Sequence, residues 1–78
     1  MRKVIGGKTY DTRTAKLIGV KYEGSFGQPN GFEEQLFATK NKQYFLYGMG
    51  GQESKYTKPE IVVLTEKEAG NWKKENLK

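Results

Sequence analysis

The amino-acid sequence predicts an α+β fold: a small twisted antiparallel sheet of four to five strands with one C-terminal helix packed on it. Three observations lead there. Short runs of β-branched and aromatic residues alternate with turn signals. The connection at Asn41-Lys42 is short and polar, as an antiparallel pair requires. A single helix-start signature, Thr65-x-x-Glu68, stands near the C-terminal end.

Each element has its own local reason. In "RKVIGGKTY", Val4 and Ile5 precede Gly6-Gly7, and Lys8-Thr9-Tyr10 follows; a Gly-Gly pair supplies the positive φ of a two-residue hairpin turn. Asp11 and Thr12 are placed to bond the backbone just ahead in an Asx-turn or a short helical turn. "AKLIGVKYE" alternates, which assigns Ile18, Val20 and Tyr22 to one strand face and Leu17, Gly19 and Lys21 to the other. "GSFGQPNG" reads as a loop. "FEEQLFATK" is the next strand, with Leu36 and Ala38 opposite Gln35 and Phe37, and "QYFLYG" runs back beside it. In that strand Phe45 and Tyr47 share a face and Tyr44 and Leu46 share the other. Ile61 to Leu64 is a short strand. Thr65 then starts a helix with Glu66 and Glu68 at its positive end and Lys73, Lys74 and Lys78 at its negative end. Ala69, Trp72 and Leu77 form its apolar stripe. Gly70 weakens it by roughly 1 kcal/mol relative to Ala, so Trp72 must dock on the sheet. Tyr10, Phe45, Tyr47 and Trp72 are the expected heart of the core.

At 78 residues the chain is one domain, spanning 1–78, near the size limit for folding alone. A homodimer that shares apolar surface is as open as a monomer. There is no cysteine and no histidine, which excludes disulfides, thiolate chemistry and zinc sites built from Cys or His. It also removes the commonest general base. A cysteine-free domain fits a reducing, cytoplasmic setting. No stretch approaches the ~20 apolar residues of a membrane span, and the N-terminus lacks the apolar region of a signal peptide. The net charge of +5 favours acidic partners, whether nucleic acid or an acidic protein face, and equally serves solubility.

The densest stretch is "YFLYGMGGQESKY", Tyr44 to Tyr56. It fits neither phosphate-binding motif. Lys55 follows Ser54 with no glycine before it, and Glu53 stands where G-x-G-x-x-G needs glycine. Gly48, Gly50 and Gly51 read as backbone geometry. Ser54 has no histidine to activate it. Glu33 and Glu34 are adjacent, so a strand points them to opposite faces, a poor arrangement for paired acid–base work. No catalytic residue, metal ligand or cofactor follows from this pattern. Sheet-borne aromatics flanked by Lys40, Lys42, Lys55 and Lys58 could stack bases and track phosphates, although "KQYFLYGMG" is not an RNA-recognition motif.

Taken together, "KTYDTRTAKLIG", "EEQLFATKNKQYFLYGMGGQESKY" and "IVVLTEKEAGNW" resemble a family of short uncharacterised proteins of Gram-positive phages and mobile elements. Its pattern runs K-x-Y-D-T-x-T-A, then Y-F-L-Y-G-x-G-G, then S-K-Y, then L-T-x-x-E-A-x-x-W. The chain departs from it in carrying Met49 between the glycines, where the family has an acidic residue, and Gln52 in place of alanine. The resemblance implies a setting rather than an activity: small proteins of phages and mobile elements often bind nucleic acid, or bind and block a host defence protein as anti-CRISPR proteins do. The expectation is a non-catalytic binding protein whose partner is a host or phage protein, with nucleic acid as the alternative. The residues expected at the partner surface are Lys40, Lys42, Tyr44, Met49, Lys55, Tyr56 and Lys58.

Overall fold

A computed structural model describes residues 1–24, 29–40 and 42–76. Among these residues six strands and one helix follow in order: β1 Arg2–Ile5, β2 Lys8–Asp11, β3 Lys16–Glu23, β4 Phe32–Ala38, β5 Tyr44–Gly50, β6 Glu60–Leu64 and α1 Glu66–Asn76. β3 to β6 form a four-stranded antiparallel sheet in chain order, and β1 with β2 forms a separate two-stranded hairpin. The expected α+β architecture is present. The N-terminal hairpin is a second small layer rather than a fifth strand of the sheet.

Local chemistry accounts for the connections. Gly6 and Gly7 take φ of 58° and 79°, the paired positive values of a primed hairpin turn. Asp11 caps the bend that follows: Arg13 N donates to Asp11 Oδ1 at 2.9 Å, and Ala15 N donates to Asp11 O at 3.0 Å. That amide, with the Arg13 charge nearby, holds the Asp11 carboxyl below its usual range. The β4–β5 turn closes through Thr39 N donating to Gln43 O at 2.8 Å and Lys42 N donating to Thr39 O at 3.1 Å. Lys42 sits there with φ of 60°, a left-handed conformation that costs an L-residue with a side chain roughly 1 kcal/mol. Asn41 of that turn lies outside the described residues.

Side chains pack against both faces of the sheet. On one, Tyr10 from the hairpin packs with Phe37, Phe45 and Ile61. Its ring meets Phe45 edge-on at 5.6 Å, and Phe37 stacks on Phe45 at 5.2 Å. On the other, Leu36 and Leu46 lie under Ala69 and Trp72 of α1, with Ile18, Tyr44, Val62 and Leu64 around them. Tyr10, Phe45 and Trp72 are core residues as expected; Tyr47 is only half-buried. Both halves of the Tyr44–Tyr47 alternation therefore find a cover.

The capping box forms as a reciprocal pair. Glu68 N donates to Thr65 Oγ1 at 3.1 Å, and Thr65 N donates to Glu68 Oε1 at 2.9 Å. Leu77 and Lys78 lie outside the described residues.

One expectation needs correction. Ile18, Val20 and Tyr22 do not share a face. The register against β4 shifts between Leu17 and Gly19, so Leu17 pairs with Phe37 and Gly19 with Leu36. This bulge leaves Ile18 on the helix side, in the Leu36 cluster. Val20 and Tyr22 pair with Gln35 and Glu33, on the hairpin side of the sheet.

Candidate functional site

Glu34 carries the most polar chemistry in the fold. Strand alternation puts it on the helix side with Leu36, where it is 2% exposed. A buried carboxylate is costly unless fully bonded. Here three donors from two other segments meet it. Tyr56 OH donates to Oε2, Lys55 Nζ lies 3.2 Å from the same oxygen, and Trp72 Nε1 donates to Oε1 at 3.3 Å. Burial pushes the carboxyl up, but the hydrogen bonds from Tyr56, Lys55 and Trp72 outweigh it and hold it below its ordinary value. Burial and then the bond to Glu34 push the Tyr56 phenol well above its own ordinary value. Glu34 is an ionised acceptor with its oxygens occupied, which is the arrangement of a structural tie rather than of a poised base.

The glycine-rich stretch builds this tie. Gly48 pairs with Glu34 across the β4–β5 ladder, and a Cβ at Gly48 would collide with the Tyr56 ring. The missing side chain is the seat of that ring, which lies flush on the sheet and reaches the carboxylate. The connection before Tyr56 is turned back by backbone bonds: Gly51 N donates to Gly31 O, Glu53 N to Pro29 O, and Ser54 N to Gly51 O. Ser54 Oγ donates within 2.9 Å of Tyr56 O and accepts from Tyr56 N. The stretch is thus a latch that places an aromatic residue, and Ser54 serves as a turn residue.

The seven residues expected at a partner surface separate accordingly. Tyr56 is fully buried and is withdrawn from that surface, because its ring fills the Gly48 seat. Tyr44 is half-buried on the helix side with Lys73 Nζ 5.6 Å from its ring. Met49 pairs with Glu33 on the opposite face. Lys55 is spent on Glu34. Lys40 and Lys42 lie at the β4–β5 turn, whereas Lys58 precedes β6 near Glu60, which pairs with Gly48 at the other end of the sheet. The four lysines do not form one cluster.

Among the described residues, the hairpin covers only part of its side of the sheet. The hairpin covers the rows around Phe37 and Phe45. Beyond them, Val20, Tyr22, Gln35, Glu33, Tyr47 and Met49 adjoin one another by register; Tyr22 is exposed and the other five are half-buried, Tyr47 against the Phe45 cluster. Tyr22 is 70% exposed, and Leu17 and Val63 flank the covered rows at 49% and 36%. Gln35 Nε2 donates to Glu33 Oε2 within this patch, so its polar groups are partly paired with each other.

Charge is also unevenly placed. Residues 1–22 carry Arg2, Lys3, Lys8, Arg13, Lys16 and Lys21 against Asp11 alone, whereas residues 23–78 carry eight cations and eight carboxylates. The net charge of +5 therefore equals that of residues 1–22, which span the hairpin and β3 up to Tyr22. This asymmetry is legible in the sequence by halves, and a whole-chain count conceals it.

Comparisons with protein-family models, curated proteins and solved structures return no match. The reading of function rests on the surfaces just described. Among the described residues no helix is long and apolar enough to cross a membrane, and no three carboxylates, histidines or cysteines come together as metal ligands.

Proposed function

We propose that this chain is a non-catalytic binding protein of phage or mobile-element origin that binds and blocks a host protein, in the manner of an anti-CRISPR inhibitor. The observation that carries the reading is the open half of the sheet. A tyrosine 70% exposed, backed by Val20, Tyr47 and Met49 on a rigid four-stranded frame, is the anchor-and-rim composition of a protein contact. Strands β4 and β5 beneath it are fixed from the other side by Leu36, Leu46 and Trp72, so the surface is preorganised and binding costs little ordering entropy. The occupied state of Glu34 supports the non-catalytic part. The resemblance to short phage proteins supports the setting. Work inside a host cell implies a cytoplasmic location.

The test is affinity purification from a Gram-positive host lysate with the wild-type protein and Tyr22→Asp, both first shown to be folded by circular dichroism. A partner held by the wild type and lost from Tyr22→Asp carries the reading. Recovery of the same proteins by both removes the open sheet half as the contact surface.

A second reading, nucleic-acid binding, is favoured by one observation: the concentration of all net charge on residues 1–22. Phosphate contacts release counterions and give a steep salt slope, so anisotropy of labelled DNA and RNA at low and physiological salt separates it from an aromatic-anchored protein contact.

A further inference from the structure

The hairpin does more than cover Phe45. It meets the β4–β5 turn at a cleft of about 340 Å³ lined by Gly7, Lys8, Thr9, Tyr10, Thr39 and Gln43. Docking of Tyr10 on Phe45 sets this position, because Lys8 and Thr9 precede Tyr10 on β2 and Thr39 and Gln43 flank the turn into β5. The cleft's lining residues carry one ammonium, two threonine hydroxyls, a phenol and a carboxamide. Among the described residues no carboxylate and no guanidinium lines it. Lys40 and Lys42 belong to the same turn. At this end of the hairpin-side face Lys8 of the hairpin thus meets the turn that carries Lys40 and Lys42.

Lys42 adds an independent observation. It holds φ of 60° where glycine would be unstrained. A strained residue is retained where the surrounding structure demands it, and such residues concentrate at binding sites. Here the strained position adds a cation to the turn that forms one wall of the cleft.

We propose that the cleft is a site for a phosphate group. Lys8 is its central cation, the Thr9 and Thr39 hydroxyls and the Gln43 amide are its neutral donors, and Lys42 is a cation at its rim. The donor set selects phosphate over carboxylate. A carboxylate is met best by the two parallel N–H groups of arginine, which the cleft lacks. Lysine, threonine, glutamine and bare backbone are the groups that meet phosphate oxygens on nucleic acids. The volume is at the low end of ligand pockets, enough for a phosphate ester and little more. The phosphate belongs either to a free nucleotide or to a nucleic-acid backbone; in the second case the site gives the nucleic-acid reading its contact. The protein-binding surface proposed above lies at the other end of the face and does not depend on it.

The experiment is a titration of the ¹⁵N-labelled full chain followed by two-dimensional NMR, with ionic strength matched between probes and each titration repeated at several salt concentrations. The probes are inorganic phosphate, AMP, an eight-nucleotide oligothymidylate, acetate and an oligoglutamate peptide. The expected result is saturable shifts of the Thr9, Thr39 and Gln43 amides with the phosphate-bearing probes and none with acetate. AMP binding as tightly as the oligonucleotide assigns a free ester; a much tighter oligonucleotide, with a salt slope reduced by about 0.7 for each lysine removed, assigns a single strand. Lys8→Gln weakens either by about tenfold, the scale of one charge-assisted bond. Lys42→Gly weakens binding about threefold while raising the melting temperature by about 4 °C, so its loss cannot be a folding defect. The proposal is overturned if no phosphate-bearing probe shifts these amides saturably, or if Lys8→Gln binds as the wild type does. Binding of oligoglutamate as tight as that of the oligonucleotide also overturns it, in favour of an acidic protein segment.

Discussion

Glu34 joins three segments that are distant in the chain: β4, the connection that carries Lys55 and Tyr56, and α1 through Trp72. Removing the phenol leaves an ionised, buried acceptor with one donor fewer. Tyr56→Phe is expected to lower unfolding free energy by roughly 1–3 kcal/mol, read by urea denaturation at pH 7. An unchanged midpoint would detach the latch from stability. The pH dependence has a definite sign. The folded Glu34 carboxyl is held below its ordinary 4.5, so its contribution is complete above that value and is lost as pH falls through the lower folded one. Urea midpoints of the wild type should decline as pH drops below about 4.5, and Glu34→Gln should flatten that decline while being less stable at pH 7. The raised Tyr56 phenol acts at the other extreme, where stability present below its ordinary 10.0 is lost as pH rises through the higher folded value. Gly48→Ala is expected to cost roughly 1–3 kcal/mol, because the added methyl occupies the Tyr56 seat.

Among the elements, α1 depends most on its neighbours. It has eleven residues, Gly70 in its middle and only Ala69 and Trp72 buried. An isolated helix of that length is marginal in water. The capping box adds about 1 kcal/mol, and the remainder comes from Trp72 packing on Leu36 and Leu46 and bonding Glu34. Trp72→Ala should cost roughly 3–5 kcal/mol and abolish most helical ellipticity; a folded mutant with intact ellipticity would refute docking as the cause of the helix. Features confined to four neighbouring residues were readable in advance: the Gly6-Gly7 turn, the Asp11 bend and the Thr65–Glu68 box. The β3 bulge was not. Alternation assumes an unbroken pleat, and one extra residue at Ile18 reverses every face after it. Alternation for that reason groups Tyr22 with Ile18, whereas the bulge turns it to the hairpin side.

At the scale of the molecule, two surfaces lie at opposite ends of one sheet face: an apolar half around Tyr22 and a basic cleft around Lys8. They share no lining residue. Substitutions there should act independently: Tyr22→Asp should leave phosphate-induced shifts of Thr9 and Gln43 unchanged, and loss of those shifts would mean that the two ends are coupled. The amino-acid sequence alone determined the strand and helix inventory, the turn chemistry, the absence of cysteine and histidine, and the placing of all net charge on residues 1–22. These are properties of composition or of contacts between near neighbours. Only the tertiary structure decided that Glu34 is the tie, that Gly48 is a seat for Tyr56, and which half of the sheet the hairpin covers. Glu34 meets Tyr56 across 22 positions and Trp72 across 38. Period-two alternation assigns a residue to a face, but what covers that face depends on how distant segments return to it.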